Sequence, residues 1–270
     1  MVMAASIYIG TSGYSYADWV GPFYPVGTKA HDFLRIYSSH FRMVELNFSY
    51  YRQPEASMLG RMVETTPDGF LFTIKAHKSV THEISEDWRR DVATFRGGIA
   101  PLEESKRLCG VLMQFPYSFH YTPDNRRYLD AVCTEMGDIP LIVEFRNSEW
   151  QRKQVYAGLQ RRHIATTVAD YPHIAKLPKA EAVITSDLGY VRFHGRNEAN
   201  WWKGDNASRY DYLYSDSELD EWLGKIDQMS RNSHVLVLVF NNHWRGQAVN
   251  NADQLATLLQ NRDGMTIEAE

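Results

Sequence analysis

This chain of 270 residues has only two cysteines, a small net charge and no long apolar run. Cys109 and Cys133 form neither a metal-ligand motif nor a disulfide framework, so a reducing, cytoplasmic setting is expected. A formal net charge of -4 at pH 7 argues against broad electrostatic binding to nucleic acid or to an anionic membrane. The longest apolar stretch, around Val235–Phe240, is far shorter than the ~20 residues of a membrane-spanning helix.

The sequence also lacks a linker, a low-complexity tract and an internal repeat, so residues 1–270 are expected to form a single domain. The turn Gly10–Gly13 matches neither the glycine-rich dinucleotide fingerprint nor the phosphate loop with its lysine. A doubly wound open sheet normally carries such a turn after its first strand, so it is the second choice of fold. No organic cofactor is expected.

What the chain does contain is a series of short apolar segments, each ending at a polar or charged residue. The segments are Ile7–Thr11, Val44–Asn47, Phe70–Lys75, Gly110–Gln114, Leu141–Arg146, Thr166–Asp170, Tyr190–His194 and Val235–Asn241. Helical patterns lie between them, over His31–Ser39, Pro54–Thr65, Thr122–Glu135, Gln151–Arg162, Ser217–Met229 and Ala248–Gln260. Strands alternating with helices predict a parallel sheet covered on its outer face, closed into a (β/α)8 TIM barrel.

The polar residues at the strand ends are expected to meet in one pocket, because the carboxyl ends of parallel strands open at the same mouth of a barrel. Side chains two residues apart share a face of a strand. The resulting pairs are Glu45 with Asn47, Lys75 with His77, Glu144 with Arg146, and Arg192 with His194. Ser12, Gln114 and Asp170 are expected to join this pocket as substrate-binding residues.

Several ordered motifs resemble those of the YecE-like proteins, a family catalogued as domain of unknown function 72 with a TIM-barrel fold. The motifs are Gly10–Pro25, Glu45–Pro54, Phe72–His82, Gln114–Pro116, Val143–Trp150, Tyr190–Arg196 and Asn241–Ala252. Together they extend over nearly the whole chain. The resemblance implies the fold but supplies no established reaction, so the function must be argued from the residues.

Three acidic and three basic residues at the strand ends form the main candidate site. They are Glu45, Glu144, Asp170, Lys75, Arg146 and Arg192. A buried ion-pair network that closes the barrel is one interpretation, although charges buried for structure alone are often no better than an apolar filling. The favoured interpretation is a pocket in which carboxylates act as acid or base and cations hold an anionic substrate.

Within that pocket, Glu144 is the first choice for the acid or base, because the residues before it are strongly apolar and Arg146 lies two residues on. Lys75 and the arginines are expected to stabilise negative charge. His194 is expected to donate or shuttle a proton, and Glu45 is a further catalytic candidate. The predicted function is therefore an enzyme, a hydrolase, lyase or isomerase, that acts on a small or extruded phosphorylated or carboxylated substrate.

Metal chemistry is the main alternative, because divalent ions use carboxylate and imidazole ligands such as Glu45, Glu144, Asp170 and His194. The neighbouring cations disfavour a metal, since they compete for the same carboxylate oxygens. With a metal, the function would be phosphodiester cleavage of nucleic acid in the manner of an endonuclease. A barrel that binds a ligand or a partner without catalysis is the third hypothesis.

The loops after the last two strands offer further donors for a phosphate or carboxylate. Arg196 follows the seventh strand, and Asn241 and Asn242 follow the eighth. The alternative is that these residues only satisfy loop and cap geometry.

Aromatic residues are unusually frequent in the loops after the strands. They are Tyr14, Tyr16, Trp19, Phe23, Tyr24, Tyr50, Tyr51, Trp150, Trp201 and Trp202. If these loops converge, their rings form a rim that stacks on a base, a sugar or another planar group, with Tyr14, Tyr16 and Trp150 as substrate contacts. Part of the set is expected to pack beneath the loops instead. The segment Asn197–Tyr210 is interpreted as a lid or specificity loop.

Overall fold

The structure, a computed structural model, describes residues 5–261 and 266–268. Eight parallel strands close into a barrel, because the first strand pairs with both the eighth and the second. The strands are β1 (Ser6–Ser12), β2 (Met43–Leu46), β3 (Leu71–Lys75), β4 (Leu108–Phe115), β5 (Leu141–Phe145), β6 (Ala165–Asp170), β7 (Leu188–Phe193) and β8 (Val235–Phe240). The (β/α)8 TIM barrel is confirmed, and the open sheet is wrong. A short strand β9 (Thr266–Ile267) pairs with the start of β1.

Helices surround the barrel. They are α1 (Phe33–Ser38), α2 (Ala56–Thr65), α3 (Lys78–Thr81), α4 (Trp88–Glu104), α5 (Pro123–Glu135), α6 (Lys153–Arg161), α7 (Asn206–Arg209), α8 (Asp216–Ser230) and α9 (Gln247–Gln260). Helix α5 begins where its sequence predicts, because Thr122 accepts a hydrogen bond from the Asn125 amide and Pro123 occupies the first turn.

The alternation of strands and helices is interrupted once, between β6 and β7. Residues 171–187 contain no helix, and the sequence shows no helical pattern between Thr166–Asp170 and Tyr190–His194 either. Pro172 and Pro178 fall in this connection, and a proline lacks the amide proton that a helix interior needs. Thr185 fixes the connection to β6, since its hydroxyl accepts from the Thr166 amide and donates to the Ile164 carbonyl.

Apolar side chains fill the lower part of the barrel interior. The buried members of this inner cluster are Met43, Leu112, Ile142, Ala165, Tyr190, Val237 and Val239. Gly10 permits this packing, because a Cβ atom at that position would lie 2.5 Å from the Met43 carbonyl oxygen and sulfur. The interior is therefore a packed core, and charged side chains are confined to its carboxyl-terminal end.

Both cysteines are free thiols. Burial raises the pKa of Cys109 and of Cys133 to about 12, so neither thiol is a reactive thiolate at neutral pH. In the part of the chain that the structure describes, no helix is both long enough and apolar enough to cross a membrane.

Candidate functional site

Arg192, on β7, lies at the centre of a buried cluster of charges at the carboxyl ends of the strands. Its Nη1 donates to Glu144 Oε2 at 2.6 Å, and its Nη2 donates to Glu45 Oε1 at 2.7 Å. The side chains of Arg192, Glu45 and Glu144 are 2%, 0% and 1% exposed. Such charges are tolerated away from water only because each one is paired and hydrogen-bonded.

Glu45 accepts hydrogen bonds from three different residues. Besides Arg192, the Ser12 hydroxyl donates to Oε1 and the Tyr190 hydroxyl donates to Oε2 at 2.8 Å. The Asn47 side-chain amide in turn donates to Ser12 Oγ. Burial acts to raise the pKa of Glu45, but Arg192 and these hydrogen bonds outweigh it and lower the pKa below its ordinary value. Glu45 is therefore an ionised carboxylate whose oxygens are both occupied.

Glu144 is similarly surrounded. Its Oε1 accepts from the Tyr171 hydroxyl at 2.8 Å and from Arg146 Nε at 3.4 Å, while Oε2 is held by Arg192. Burial acts to raise the pKa of Glu144, yet Arg192 and its other charged neighbours hold the pKa well below the ordinary value. A carboxylate this acidic and this fully bonded is a poor proton carrier at neutral pH. The contacts favour a positioning role for Glu144 over the acid/base role expected from the sequence.

His194 is completely buried and lies beside this cluster. Its Nδ1 is 3.0 Å from the Asn241 side-chain amide nitrogen, and its ring stacks on Tyr171 with centroids 4.9 Å apart. An amide that donates to Nδ1 leaves the ring proton on Nε2, which is 3.3 Å from Glu144 Oε1. Burial lowers the pKa of His194 to about 4 despite the nearby carboxylate. The imidazole is neutral at physiological pH and is positioned under the pocket floor.

A cavity of about 600 Å³ opens above the cluster at the barrel mouth. Its basic lining residues are Lys75, Arg146, Arg192 and Arg209, and its aromatic lining residues are Tyr16, Tyr50, Tyr51, Tyr117, Trp201, Trp202 and Tyr210. The amides of Asn47, Gln114 and Asn241 also line it. Among the residues that the structure describes, no carboxylate lines this cavity. The two glutamates lie beneath its surface, so the wall presents cations and aromatic rings.

Lys75 differs from Arg146 and Arg192 in the side chains that it contacts. Its Nζ donates to Gln114 Oε1 at 2.8 Å and lies 4.3 Å from the centroid of the Tyr50 ring. No described carboxylate forms an ion pair with it. Burial, followed by the charges of Arg192 and Arg146, lowers the pKa of Lys75 to about 7. The amine therefore exists in both protonated and free forms at neutral pH.

The segment Asn197–Tyr210 forms one wall of the cavity. Its Tyr210 hydroxyl accepts a hydrogen bond from Arg146 Nη2 at 3.0 Å, and its Trp201 ring lies 5.5 Å from the Arg146 guanidinium carbon. Burial acts to raise the pKa of Tyr210, but Arg146 outweighs it and lowers the pKa. The segment interpreted as a lid or specificity loop thus places Arg209 and three aromatic rings in the pocket.

Comparisons with known proteins agree with this architecture. The model of the family described as "Protein of unknown function DUF72" matches residues 8–269. The chain belongs to the DUF72 family. The UPF0759 protein YunF of Bacillus subtilis (strain 168) is 32% identical in an alignment 269 positions long, which covers 94% of this chain and 94% of that protein. The resemblance to YecE-like proteins is confirmed.

Crystal structures of two DUF72 proteins share the fold. That from Thermotoga maritima MSB8 is 38% identical, with a TM-score of 0.87 over 94% of this chain and 99% of the other. One from Enterococcus faecalis V583 is 28% identical, with a TM-score of 0.84 over 95% of this chain and 96% of the other. The barrel described here is therefore the DUF72 fold.

Asp170 and Arg196 of this DUF72 chain do not face the pocket. Arg196 Nε donates to Asp170 Oδ2 at 3.0 Å, and its terminal nitrogens reach Glu221 at 2.9 Å and Glu218 at 3.4 Å, both on α8. Ala169 is the residue in register with the inward-facing Arg192, so Asp170 points outward. The prediction that Asp170 and Arg196 lie at the barrel mouth is wrong. The sequence did not specify which face of this strand is the inner one, because polar and apolar residues do not alternate regularly in Thr166–Asp170.

Three more expected substrate contacts belong to the framework of the DUF72 barrel. Trp150 is 2% exposed and stacks on Phe145 with centroids 4.3 Å apart, outside the barrel wall. Tyr14 packs among the aromatic residues outside β1, and the completely buried Asn242 donates to Asn251 Oδ1 on α9. None of the three lines the cavity. Tyr16 does line it, with its ring stacked on His243 at 4.7 Å.

The ligand set of the metal hypothesis is not assembled. Within residues 5–261 and 266–268, no group of three or more His, Cys, Asp or Glu side chains lies close enough to hold a metal ion. Arg192 separates the carboxylates of Glu45 and Glu144, and Asp170 faces α8. The carboxylates that the structure describes at this DUF72 site form ion pairs with arginines.

Several residues of the site were not identified from the sequence. Tyr190, which binds Glu45, could have been found, because it lies two residues before Arg192 on the same strand face. His77, which was expected on the same strand face as Lys75, caps α3 and does not line the cavity. Arg209 and Tyr210 carry no such signal, since they come from an irregular segment whose path is set by tertiary contacts.

Proposed function

We propose that this DUF72 protein is an enzyme that binds a small phosphorylated or carboxylated substrate in the cavity at the barrel mouth. The observation that supports this most is the composition of the cavity wall, which carries four basic residues and none of the described carboxylates. The charges of Arg146 and Arg192 are balanced by the buried Glu45 and Glu144. Lys75 adds a positive charge that these glutamates do not balance, and an anionic ligand would balance it.

The aromatic residues of the wall suggest what accompanies the anionic group. Tyr117 and Trp202 meet edge to face with centroids 5.1 Å apart, and Trp202 and Tyr51 are 52% and 65% exposed. Large rings exposed at a cavity mouth favour contact with a planar or apolar body. A substrate with a charged head toward Lys75 and Arg146 and a flat body toward these rings fits both parts of the wall.

The chemistry that we propose is proton transfer by Lys75 with electrostatic stabilisation by the arginines. A group with a pKa of about 7 both accepts and donates protons efficiently at neutral pH. The guanidinium groups of Arg146 and Arg192 are fixed by Glu144 and Glu45, so they meet developing negative charge without rearranging. Glu144 acts in this scheme by positioning the two arginines.

A thermal-shift screen of phosphorylated and carboxylated small molecules tests the proposal. Anions that bind the pocket should raise the unfolding temperature of the wild type and have much less effect on Lys75→Met. Arg196→Met is the matched control, because it removes an arginine outside the cavity and should leave the shift intact. The proposal fails if only uncharged compounds stabilise the wild type, or if Lys75→Met responds to the anions as the wild type does.

A further inference from the structure

We infer that Lys75 is a nucleophile that forms an imine with the carbonyl group of an anionic substrate, either an α-keto acid or a phosphorylated aldehyde or ketone. This inference rests on the anion pocket of the proposed function and names the substrate class. Three features of Lys75 carry it: its amine faces the cavity, it has no carboxylate partner among the described residues, and it is held in one position.

The position of the amine is fixed by two contacts. Nζ donates one hydrogen bond to Gln114 Oε1 at 2.8 Å and lies over the Tyr50 ring at 4.3 Å from its centroid. The Gln114 amide is itself anchored, since its Nε2 donates to the Phe115 carbonyl at 2.9 Å. Lys75 lines the cavity, so the rest of the nitrogen's coordination sphere is open to a ligand.

The charges around the amine favour its free form. Arg192 and Arg146 act to lower the pKa of Lys75, and they outweigh the opposite effect of the buried Glu144 and Glu45. With burial, they lower the pKa of Lys75 to about 7. Roughly half of the amine is then unprotonated at neutral pH, against less than about one part in a thousand for an ordinary lysine. Desolvation beside another cation is a known way to activate a lysine nucleophile.

The covalent step needs no oxidant or metal. The amine lone pair attacks the carbonyl carbon, a C–N bond forms, and the carbonyl oxygen takes up the proton that the nitrogen releases. The resulting carbinolamine loses its hydroxyl group as water after protonation, leaving a protonated imine. Tyr210, whose hydroxyl lies beside Arg146, is one of several phenols in the cavity wall that can donate that proton.

An imine at Lys75 would determine the class of reaction. The protonated imine withdraws electrons from the adjacent carbon, which weakens a C–H or C–C bond there. Arg146, which lines the cavity, is placed to hold the carboxylate or phosphate of the substrate. The inference therefore narrows the proposed enzyme to a lyase or an isomerase.

Reductive trapping tests the inference on the full chain. The protein is incubated with glyoxylate or with dihydroxyacetone phosphate and sodium cyanoborohydride, and adducts are located by intact mass and peptide mapping. We expect one reduced adduct on Lys75 of the wild type, with a yield that rises through pH 7. Lys78→Arg should leave it intact, because Lys78 lies outside the cavity and is paired with Glu83 at 2.9 Å. Lys75→Arg should abolish it.

Binding of the same probes is measured without the reductant, by thermal shift. Lys75→Arg keeps a positive charge, so retained binding with lost trapping is the expected result. A wild type that binds a probe but gives no adduct at Lys75, or labels Lys78 as readily, overturns the imine inference and leaves the anion pocket standing. A wild type that neither binds nor traps either probe overturns the inference and counts against the proposed function as well. Mapping on the wild type does not depend on the folding of any variant.

Discussion

Arg192 and Arg196 are four residues apart in the sequence and hold two clusters of opposite character. Arg192 lies inside the barrel, where Glu45 and Glu144 face Arg192, Arg146 and Lys75. Arg196 lies outside it, where one guanidinium group contacts Asp170, Glu218 and Glu221. The inner cluster has more cations than carboxylates and borders the cavity. The outer cluster has more carboxylates and connects the β6 end to α8.

The comparison shows that the same side-chain types serve different purposes on the two faces of a barrel wall. Inside, the carboxylates orient arginines from below, and the surplus positive charge is available to a ligand. Outside, the arginine joins acidic groups of two elements and is 12% exposed, so part of its charge is solvated. Changes to the inner cluster should therefore alter both folding and ligand binding, and changes to the outer cluster should alter folding alone.

The largest expected effect is on stability, from Arg192→Met. This change leaves Glu45 and Glu144 buried without their main cation, which should lower the free energy of unfolding by about 3–5 kcal/mol. Arg231→Met is the control, because Arg231 pairs with Asp227 on an exposed surface and should cost less than about 1 kcal/mol. Urea unfolding measures both. If both variants lose similar amounts of unfolding free energy, the ion pairs of Arg192 with Glu45 and Glu144 do not stabilise the fold as we expect.

Glu144→Gln should cost about 3 kcal/mol, because the neutral amide leaves Arg192 and Arg146 short of negative charge in a buried site. If Glu144 were instead the acid or base expected from the sequence, the isosteric change should cost about 1 kcal/mol or less while activity collapsed. Thermal unfolding of the two proteins separates these outcomes. If Glu144→Gln is as stable as the wild type but has lost all turnover, Glu144 is the acid or base after all.

Arg196→Met should cost less, about 1–2 kcal/mol, although it also removes a cation from an acidic cluster. Burial already raises the pKa of Asp170 above its ordinary value, so this carboxyl group can take up a proton when its partner is lost. The loss of stability should therefore be smaller at pH 5 than at pH 8. Anion binding, measured by thermal shift, should be unchanged, and its disappearance would contradict the separation of the two clusters.

At Lys75 the expected effect on stability has the opposite sign, and its size depends on pH. The folded-state pKa of about 7 lies below the ordinary value of 10.5, so the folded chain binds this proton less tightly than the unfolded chain. Wild-type stability should then rise with pH between those values, and the full penalty is present below pH 7. We expect the stability of Lys75→Met relative to the wild type to be greatest near pH 6 and to fall as the pH rises toward 10, by on the order of 4 kcal/mol at most. A difference that stays constant over this range would contradict the lowered pKa.

The fold was predictable because each strand is short, apolar and ends at a polar residue. The segment Ile7–Thr11 was expected and Ser6–Ser12 is found. Parity also placed Glu45, Glu144 and Arg192 on the inner face correctly. These predictions depend only on the two-residue repeat of a strand and on the common direction of parallel strands.

The division of the charged residues into two clusters could not be predicted. The strand that ends at Asp170 has apolar residues on both faces, Val168 and Ala169, so only pairing with β7 decides which face is inner. Trp201 was expected in the aromatic rim, but Arg209 and Tyr210 could not be assigned to the cavity wall because their segment has no periodic pattern. That Glu45 and Glu144 lie beneath the cavity, rather than in its wall, follows from their contacts with Arg192 in three dimensions.

The position of a bound anion tests the central claim most directly. Crystals of the protein soaked in selenate, an oxyanion with an anomalous signal, would show where the chain accepts negative charge. We predict the strongest anomalous peak in the cavity, within hydrogen-bonding distance of Lys75 Nζ and the Arg146 guanidinium group. An empty cavity together with selenate at Arg196 or only on the outer surface would contradict the account.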